Sequence, residues 1–396
     1  MSMTFDLDLG ATAGAATGPL APSPVTPERD DRPRPKTGIL DIAPYVPGKA
    51  KAKGHDHPLK LSANENVLGC SPRAREAYLE TAGSLNLYPD GRSDALRAAI
   101  AARFGLEPER LVFGCGSDEV FSLLAQTYLE PGDNAVQTEF GFFAYRIAVR
   151  AAQGEVRFAA QPQRRIDVDA LLEQVDARTK LVFLDNPGNP TGAWLKAPEV
   201  ARLHASLPAH TLLVLDGAYA EFVDDPEYDP GFDLARDAPN LVVSRTFSKI
   251  YGLAGLRVGW AYAPAPVAAA VDRIRGPFNV NLPAQAAALA AFGDEAFLEE
   301  SRELVRRGRP WLAQQLGGLG LEVAPSQGNF VVARFPGHAG AAAHEAEAHL
   351  TARGVLVRGL ANYGLGDSLR VTVGREEENR AVVDALAEFL GAAGGR

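Results

Sequence analysis

In the stretch SRTFSKIYGLAGLRVGW, Ser244 to Trp260, Lys249 follows Ser248 inside an apolar, glycine-rich run, and Arg257 lies eight residues further on. A lysine so placed has two uses. It can pack its stem and lead its ammonium out to water, or it can be kept among apolar groups as an amine of lowered basicity, ready to attack a carbonyl. Asp216 closes the apolar run TLLVLD. A carboxylate buried there needs a cation or strong donors, unless it caps a following helix. FGCGSDEV sets Gly114, Gly116 and Ser117 between a β-rich run and a helix start. Backbone N–H groups and the helix dipole favour an anion at such a place, although an ordinary tight turn would use the same residues. Glu119 occupies the last glycine position of a dinucleotide fingerprint, and no GxxxxGK[ST] is present, so a nucleotide is not indicated. Thr246, Ser248 and Arg257 can add hydroxyl and guanidinium donors to one anion. NPGNPTG, Asn186 to Gly192, holds two asparagine amides in a loop stiffened by proline and glycine.

These groups need a frame. From about residue 71, amphipathic helical segments such as RSDALRAAIAARFG and SDEVFSLLAQTYLEPGD alternate with short apolar runs: RLVFG, NAVQT, EVRFA, KLVFLDNP, TLLVLDGAY and NLVVSRT. Runs apolar on both faces suit strands covered by helices on each side, which predicts a mostly parallel α/β sheet. Asp185-Asn186, Asp216 and Ser244-Arg245-Thr246 then fall at strand carboxyl ends, where open α/β sheets bind ligands. Beyond about residue 278 the pattern changes. Helical stretches over 283–293, 294–317, 341–353 and 375–391 mix with strands at NFVVARF, GVLVR and SLRVTVG, which predicts a smaller α+β domain. The expected divisions are a disordered tail over 1–36, a substrate and interface segment over 37–70, a large domain over 71–278 and a small domain over 279–396.

The bulk composition narrows the class. At 396 residues the chain exceeds one simple core, and a net charge of −9 argues against nucleic acid as the main partner. Two cysteines, Cys70 and Cys115, imply no disulfide framework, and the seven histidines lack zinc-ligand spacing, so no metal is expected. The N-terminal segment is acidic and rich in alanine, glycine and proline. It lacks the basic start and apolar run of a signal peptide, and no run is long enough to cross a bilayer. A cytoplasmic protein without a membrane partner is expected.

One ligand satisfies the phosphate cradle, the reactive lysine and the buried acid together: pyridoxal 5′-phosphate. In the order PYVPGK, KLSANENVLG, YPDG, GSDE, NPGNPTG, LDGAYAEF, RTFSKIYGLAGLRVGW and LRVTVG, the chain from about Gly38 onward resembles fold-type I pyridoxal-phosphate aminotransferases. More narrowly, it resembles the histidinol-phosphate aminotransferase family. The resemblance implies a seven-stranded, mostly parallel sheet and a set of residue roles. Lys249 is then the lysine that condenses with the cofactor aldehyde, its basicity lowered beside Arg257. Asp216 holds the pyridinium proton, and Asn189 and Tyr219 face the phenolic oxygen. Phe142 stacks on the ring. The backbone groups of Ser117 and Asp118, with Thr246, Ser248 and Arg257, bind the phosphate. Tyr88 of YPDG reaches the partner's cofactor in a homodimer with a shared site. Arg370, Arg358 and Tyr45 meet the substrate. The implied reaction passes an amino group from histidinol phosphate to 2-oxoglutarate, in histidine biosynthesis. An aromatic amino-acid aminotransferase, a phosphothreonine-type decarboxylase and a catalytically silent regulator would share much of this pattern. Gly188, Gly217, Val67 and Cys70 depart from the common family residues without removing an assigned group, and they leave the substrate open.

Overall fold

The apolar runs pair into a seven-stranded sheet in the computed structural model, which describes residues 33–337 and 341–394. Most of the segment expected to be disordered, residues 1–32, lies outside the described residues. We number the strands β1 (Leu59–Lys60), β2 (Leu111–Gly114), β3 (Asn134–Thr138), β4 (Glu155–Ala159), β5 (Thr179–Asp185), β6 (Leu212–Asp216), β7 (Leu241–Thr246) and β8 (Gly259–Tyr262). Then follow β9 (Glu322–Val323), β10 (Phe330–Arg334), β11 (Val355–Leu356), β12 (Arg358–Leu360) and β13 (Leu365–Thr372). The large sheet has the order β2-β8-β7-β6-β5-β3-β4. Its strands from β7 through β4 run parallel, and β8 alone is antiparallel to both of its neighbours.

Alternation along the central strands builds two cores, one on each face. Val182 and Leu184 of β5 join Leu213, Leu215 and Val243 in one apolar cluster. Leu181 and Phe183 join Leu212, Val214 and Val242 in the other. Successive strand side chains point to opposite faces, so a strand covered on both sides must be apolar at every position. Each such fully buried side chain contributes roughly 1.5–3 kcal/mol relative to exposure. Of the helices that cover the sheet, α1 (Pro72–Glu80) and α2 (Asp94–Phe104) precede it. Two others follow strands directly: α3 (Ser117–Tyr128) leaves β2, and α4 (Phe143–Ala151) comes after β3.

The second sheet, in the order β12-β13-β10-β9, is antiparallel throughout. The run GVLVR, expected as one strand, is split between two partners. Leu59 N–H donates to Gly354 O at 2.7 Å and Leu61 N–H to Leu356 O at 2.8 Å, drawing β11 into a parallel pair with β1. Arg358 then starts β12, where it stands directly opposite Arg370 of β13. Phe330, Val332 and Leu360 of the second sheet belong to the same apolar cluster as one face of the first. Residues Thr37–Arg396 group as one compact unit. Among the described residues no helix is long and apolar enough to cross a membrane.

The packing of β8 against the turn before α3 leaves no room for a side chain. A Cβ on Gly259 would lie 2.4 Å from Ser117 N and 2.7 Å from Gly116 C, both backbone atoms that cannot swing aside. Gly259→Ala is expected to lower unfolding stability by about 1–3 kcal/mol in urea titrations, the usual range for overpacking. An unchanged midpoint would show that the turn yields easily.

Candidate active site

Three parallel strands, β5, β6 and β7, end on one side of the sheet, and their last residues floor a cavity. Ser117, Asp118, Phe142, Asn189, Asp216, Tyr219, Thr246, Ser248, Lys249 and Arg257 line it, joined by Asp185, Ala218 and Ala254. All ten of the first group are residues that the sequence reading assigned to the cofactor.

Asp216, the last residue of β6, is 3% exposed. Its Oδ2 accepts from Tyr145 OH at 2.7 Å, and its Oδ1 accepts from Ser244 Oγ at 2.9 Å and Ala218 N–H at 3.1 Å. Burial pushes its pKa up to about 6, and the Tyr145 and Ser244 hydrogen bonds work against that rise. The helix-cap alternative does not apply, since only a three-residue 3₁₀ turn, Ala220–Phe222, follows. Asp185 is the register partner of Asp216 on β5. Its Oδ2 accepts from Asn189 N–H at 2.7 Å. Burial is the main reason that its pKa rises to about 7, and the negative charge of Asp216 adds to it.

Lys249 reaches the same floor from the loop after β7. Its Nζ donates to Ala63 O at 3.4 Å and lies 5.5 Å from the Tyr219 ring centroid. Desolvation lowers its pKa to about 8, and the next contribution comes from Arg370. The lowering by desolvation is as expected, with Arg370 rather than Arg257 as the cation that contributes most. The Arg257 guanidinium is turned toward Ser248 Oγ at 3.2 Å and Ala254 O at 3.1 Å, and Asp118 Oδ2 neutralises it at 3.2 Å. Tyr219 accepts from Asn64 Nδ2 at 2.9 Å. Its phenol is pushed up to about 12, mainly by burial.

The anion cradle combines a helix start with a fixed cation. Gly116 has φ 82° as the N-cap of α3, and a Cβ there would fall 2.3 Å from an Arg257 guanidinium nitrogen. Only glycine lets the cation close on the turn. Thr246 Oγ1 accepts from Ser248 N–H at 3.1 Å, tying the loop before Lys249 to the end of β7.

Arg370, Arg358, Tyr45 and Tyr88 are not among the residues lining this cavity. Arg370 is buried beside it: Nη1 donates to Asn189 Oδ1, Nη2 donates to Ser62 O at 2.9 Å, and Nε has no partner among the described residues. Arg358 donates from Nη2 to Val46 O at 2.7 Å. Tyr45 is exposed and packs at 6.0 Å from the Phe143 ring. Tyr88 is 83% exposed and stacks on Phe278 at 4.7 Å in a separate hollow with Leu85 and Leu87. Tyr145, Ser244, Asp185 and Asn64 were given no role from the sequence. Asp185 and Ser244 were legible as polar strand ends. Tyr145 follows Phe142 by three residues, close to one helical turn, which would have pointed to it.

These observations define a class of protein, and comparison with known proteins bears it out. Residues 56–386 match the model of the family aminotransferase class I and II, and the chain belongs to that family. It is 58% identical over 357 residues to histidinol-phosphate aminotransferase 1 of Caulobacter vibrioides, covering 90% of this chain and 99% of that one. It is 51% identical to the histidinol-phosphate aminotransferase of Maricaulis maris, covering 90% and 98%. Among solved structures, that of the Sinorhizobium meliloti histidinol-phosphate aminotransferase in complex with pyridoxal-5′-phosphate is similar with a TM-score of 0.83. The identity is 30%, over 90% of this chain and 98% of that one.

The lysine environment has a direct test. In protein free of small molecules, capture of a simple aldehyde on Lys249, trapped with borohydride and mapped by peptide, should rise as pH passes about 8. Only the unprotonated amine attacks, so a lowered pKa moves the rise to lower pH. Arg370→Gln removes a cation and should shift the curve to higher pH. A curve unmoved by that substitution would show that desolvation acts alone.

Proposed function

We propose that the chain is a pyridoxal-phosphate-dependent aminotransferase that moves the amino group of histidinol phosphate to 2-oxoglutarate, giving imidazole acetol phosphate and glutamate in histidine biosynthesis. The observation that carries this reading is the meeting of Lys249, Asp216 and the Arg257 cradle in one cavity, with Arg370 buried alongside. The donor set fits the cofactor on physical grounds. Asp216 is a buried carboxylate with three hydrogen-bond donors and, among the described residues, no ion pair, so a protonated ring nitrogen would complete it. The start of α3 with Thr246, Ser248 and Arg257 suits a phosphate.

When bound, the cofactor supplies a carbonyl carbon that takes up amines and a protonated ring that draws electrons from the substrate α-carbon. The chain's own residues do the rest. Asp216 keeps the proton on the ring nitrogen, and Tyr145 and Ser244 hold Asp216 in place. Asn189 and Tyr219 would hold the phenolic oxygen, and Phe142 would pack against the ring. Lys249, an amine of depressed basicity, accepts the proton from the substrate α-carbon and returns it on the other side of the exchange. Arg370 meets the anionic end of each substrate, with Arg358 and Tyr45 adding donors.

The enzyme works as a cytoplasmic homodimer in this reading. Tyr88, Leu85, Leu87 and Phe278 are all more than 40% exposed and form an apolar surface suited to a second copy. Tyr88 would reach the partner's cofactor phosphate.

Two experiments test the reading. A donor panel of histidinol phosphate, phenylalanine, tyrosine and aspartate against 2-oxoglutarate should favour histidinol phosphate, with glutamate formed and no carbon dioxide released. In the same assay Asp216→Asn should lose roughly a hundredfold in turnover, as for removal of one strong electrostatic stabiliser. Near-normal turnover would remove Asp216 from its role. For the dimer, mixing inactive Tyr88→Ala and Lys249→Ala chains should restore part of the activity. An active monomer by light scattering would overturn the shared site.

A further inference from the structure

Arg146 occupies the first turn of α4, where the helix dipole opposes a cation, and that turn contains no acidic residue. Its guanidinium lies over the Phe143 ring, with Cζ 3.9 Å from the centroid. Nε is buried without a hydrogen-bond partner, and among the described residues no carboxylate pairs with the group. Burial and the dipole both disfavour this charge, and no acid compensates it.

Its surroundings say what is missing. The Phe143 ring that carries Arg146 also meets Tyr45 at 6.0 Å and Tyr363 at 6.5 Å. Arg358 donates to Val46 O, the residue next to Tyr45, at 2.7 Å. Arg146 and Arg358 thus approach one aromatic cluster, Arg370 borders the cavity through Asn189, and none of the three has a carboxylate partner among the described residues. A cation–π contact with Phe143 accounts for where Arg146 lies but does not neutralise it. A phosphate dianion, with more charge and more acceptor oxygens than a carboxylate, would.

We propose that Arg146 is a specificity-determining residue that, with Arg358, binds the phosphate at the far end of the amino donor, while Arg370 serves the anion common to donor and acceptor. The inference rests on the transamination of a phosphorylated amine argued above.

The test uses the cofactor-loaded enzyme in four forms: wild type, Arg146→Gln, Arg146→Lys and, as a control on the exposed end of the same helix, Arg150→Gln. Inorganic phosphate binding is measured by calorimetry, and kcat and KM are measured with histidinol phosphate and with phenylalanine as donors. Arg146→Gln should weaken phosphate binding and raise the histidinol-phosphate KM by about tenfold, the low end for one charged hydrogen bond. Its kcat should stay within about twofold, and phenylalanine should be unaffected. Arg146→Lys should recover most of the loss, and Arg150→Gln should match wild type. Unchanged phosphate affinity in Arg146→Gln, or equal losses with both donors, would overturn the proposal. Should wild type itself prefer phenylalanine, the substrate reading falls, and the phosphate titration still decides Arg146. Weaker binding in Arg146→Gln then sustains an anion subsite, and equal binding ends it.

Discussion

A carboxylate at the end of the central strand, out of water and without a paired cation among the described residues, is the constraint around which this site is arranged. Asp216 can stay there only because Tyr145, Ser244 and the Ala218 amide donate to it. Each donor comes from a different element, so the acid fixes their relative positions as much as they fix its own. Tyr145 ties in α4, whose preceding residue Phe142 lines the cavity. Ser244 ties in β7, from which the Lys249 loop departs. Asp185 repeats the arrangement one strand over. It grips the Asn189 amide, so the Asn189 loop hangs from β5 as α4 hangs, through Tyr145, from β6. A second anion so near makes a proton, or a positively charged ligand, more welcome between them.

Much of this was legible before any coordinates. Strand runs apolar at every position announced a sheet covered on both faces, and the two clusters sharing β5 residues alternately are that pattern in space. Ser117, Asp216, Thr246, Ser248, Lys249 and Arg257 could be placed because strand ends and turn chemistry are local properties, whereas Asp118, Phe142, Asn189 and Tyr219 came from the family resemblance. What escaped depended on distance. Lys249 and Arg257 are neighbours in sequence, which suggested that one tunes the other. Instead Asp118, more than a hundred residues away, neutralises Arg257, and Arg370 acts on the lysine from another sheet. The splitting of GVLVR between two partners was invisible for the same reason. Nothing in Leu59–Lys60 marks so short a segment as a strand until β11 lies beside it.

The cations around the cavity fall into two kinds. Arg257 is paired with Asp118 and tied to Ser248, which makes it a fixed part of the frame. Arg370 and Arg146 each keep a buried Nε without a partner among the described residues. The first kind is held in place by the fold as a ready donor for a phosphate, and the second still has donors to offer.

The register of the small sheet carries that distinction into bulk behaviour. Arg358 and Arg370 stand directly opposite each other on β12 and β13, an arrangement in which like charges repel. Any anion that settles near them relieves the repulsion in the folded state and has no equivalent place in the unfolded chain. Its binding therefore adds to the folding free energy by mass action. Where such an anion binds, the melting temperature becomes a joint property of the chain and its buffer, and variants are comparable only within one buffer.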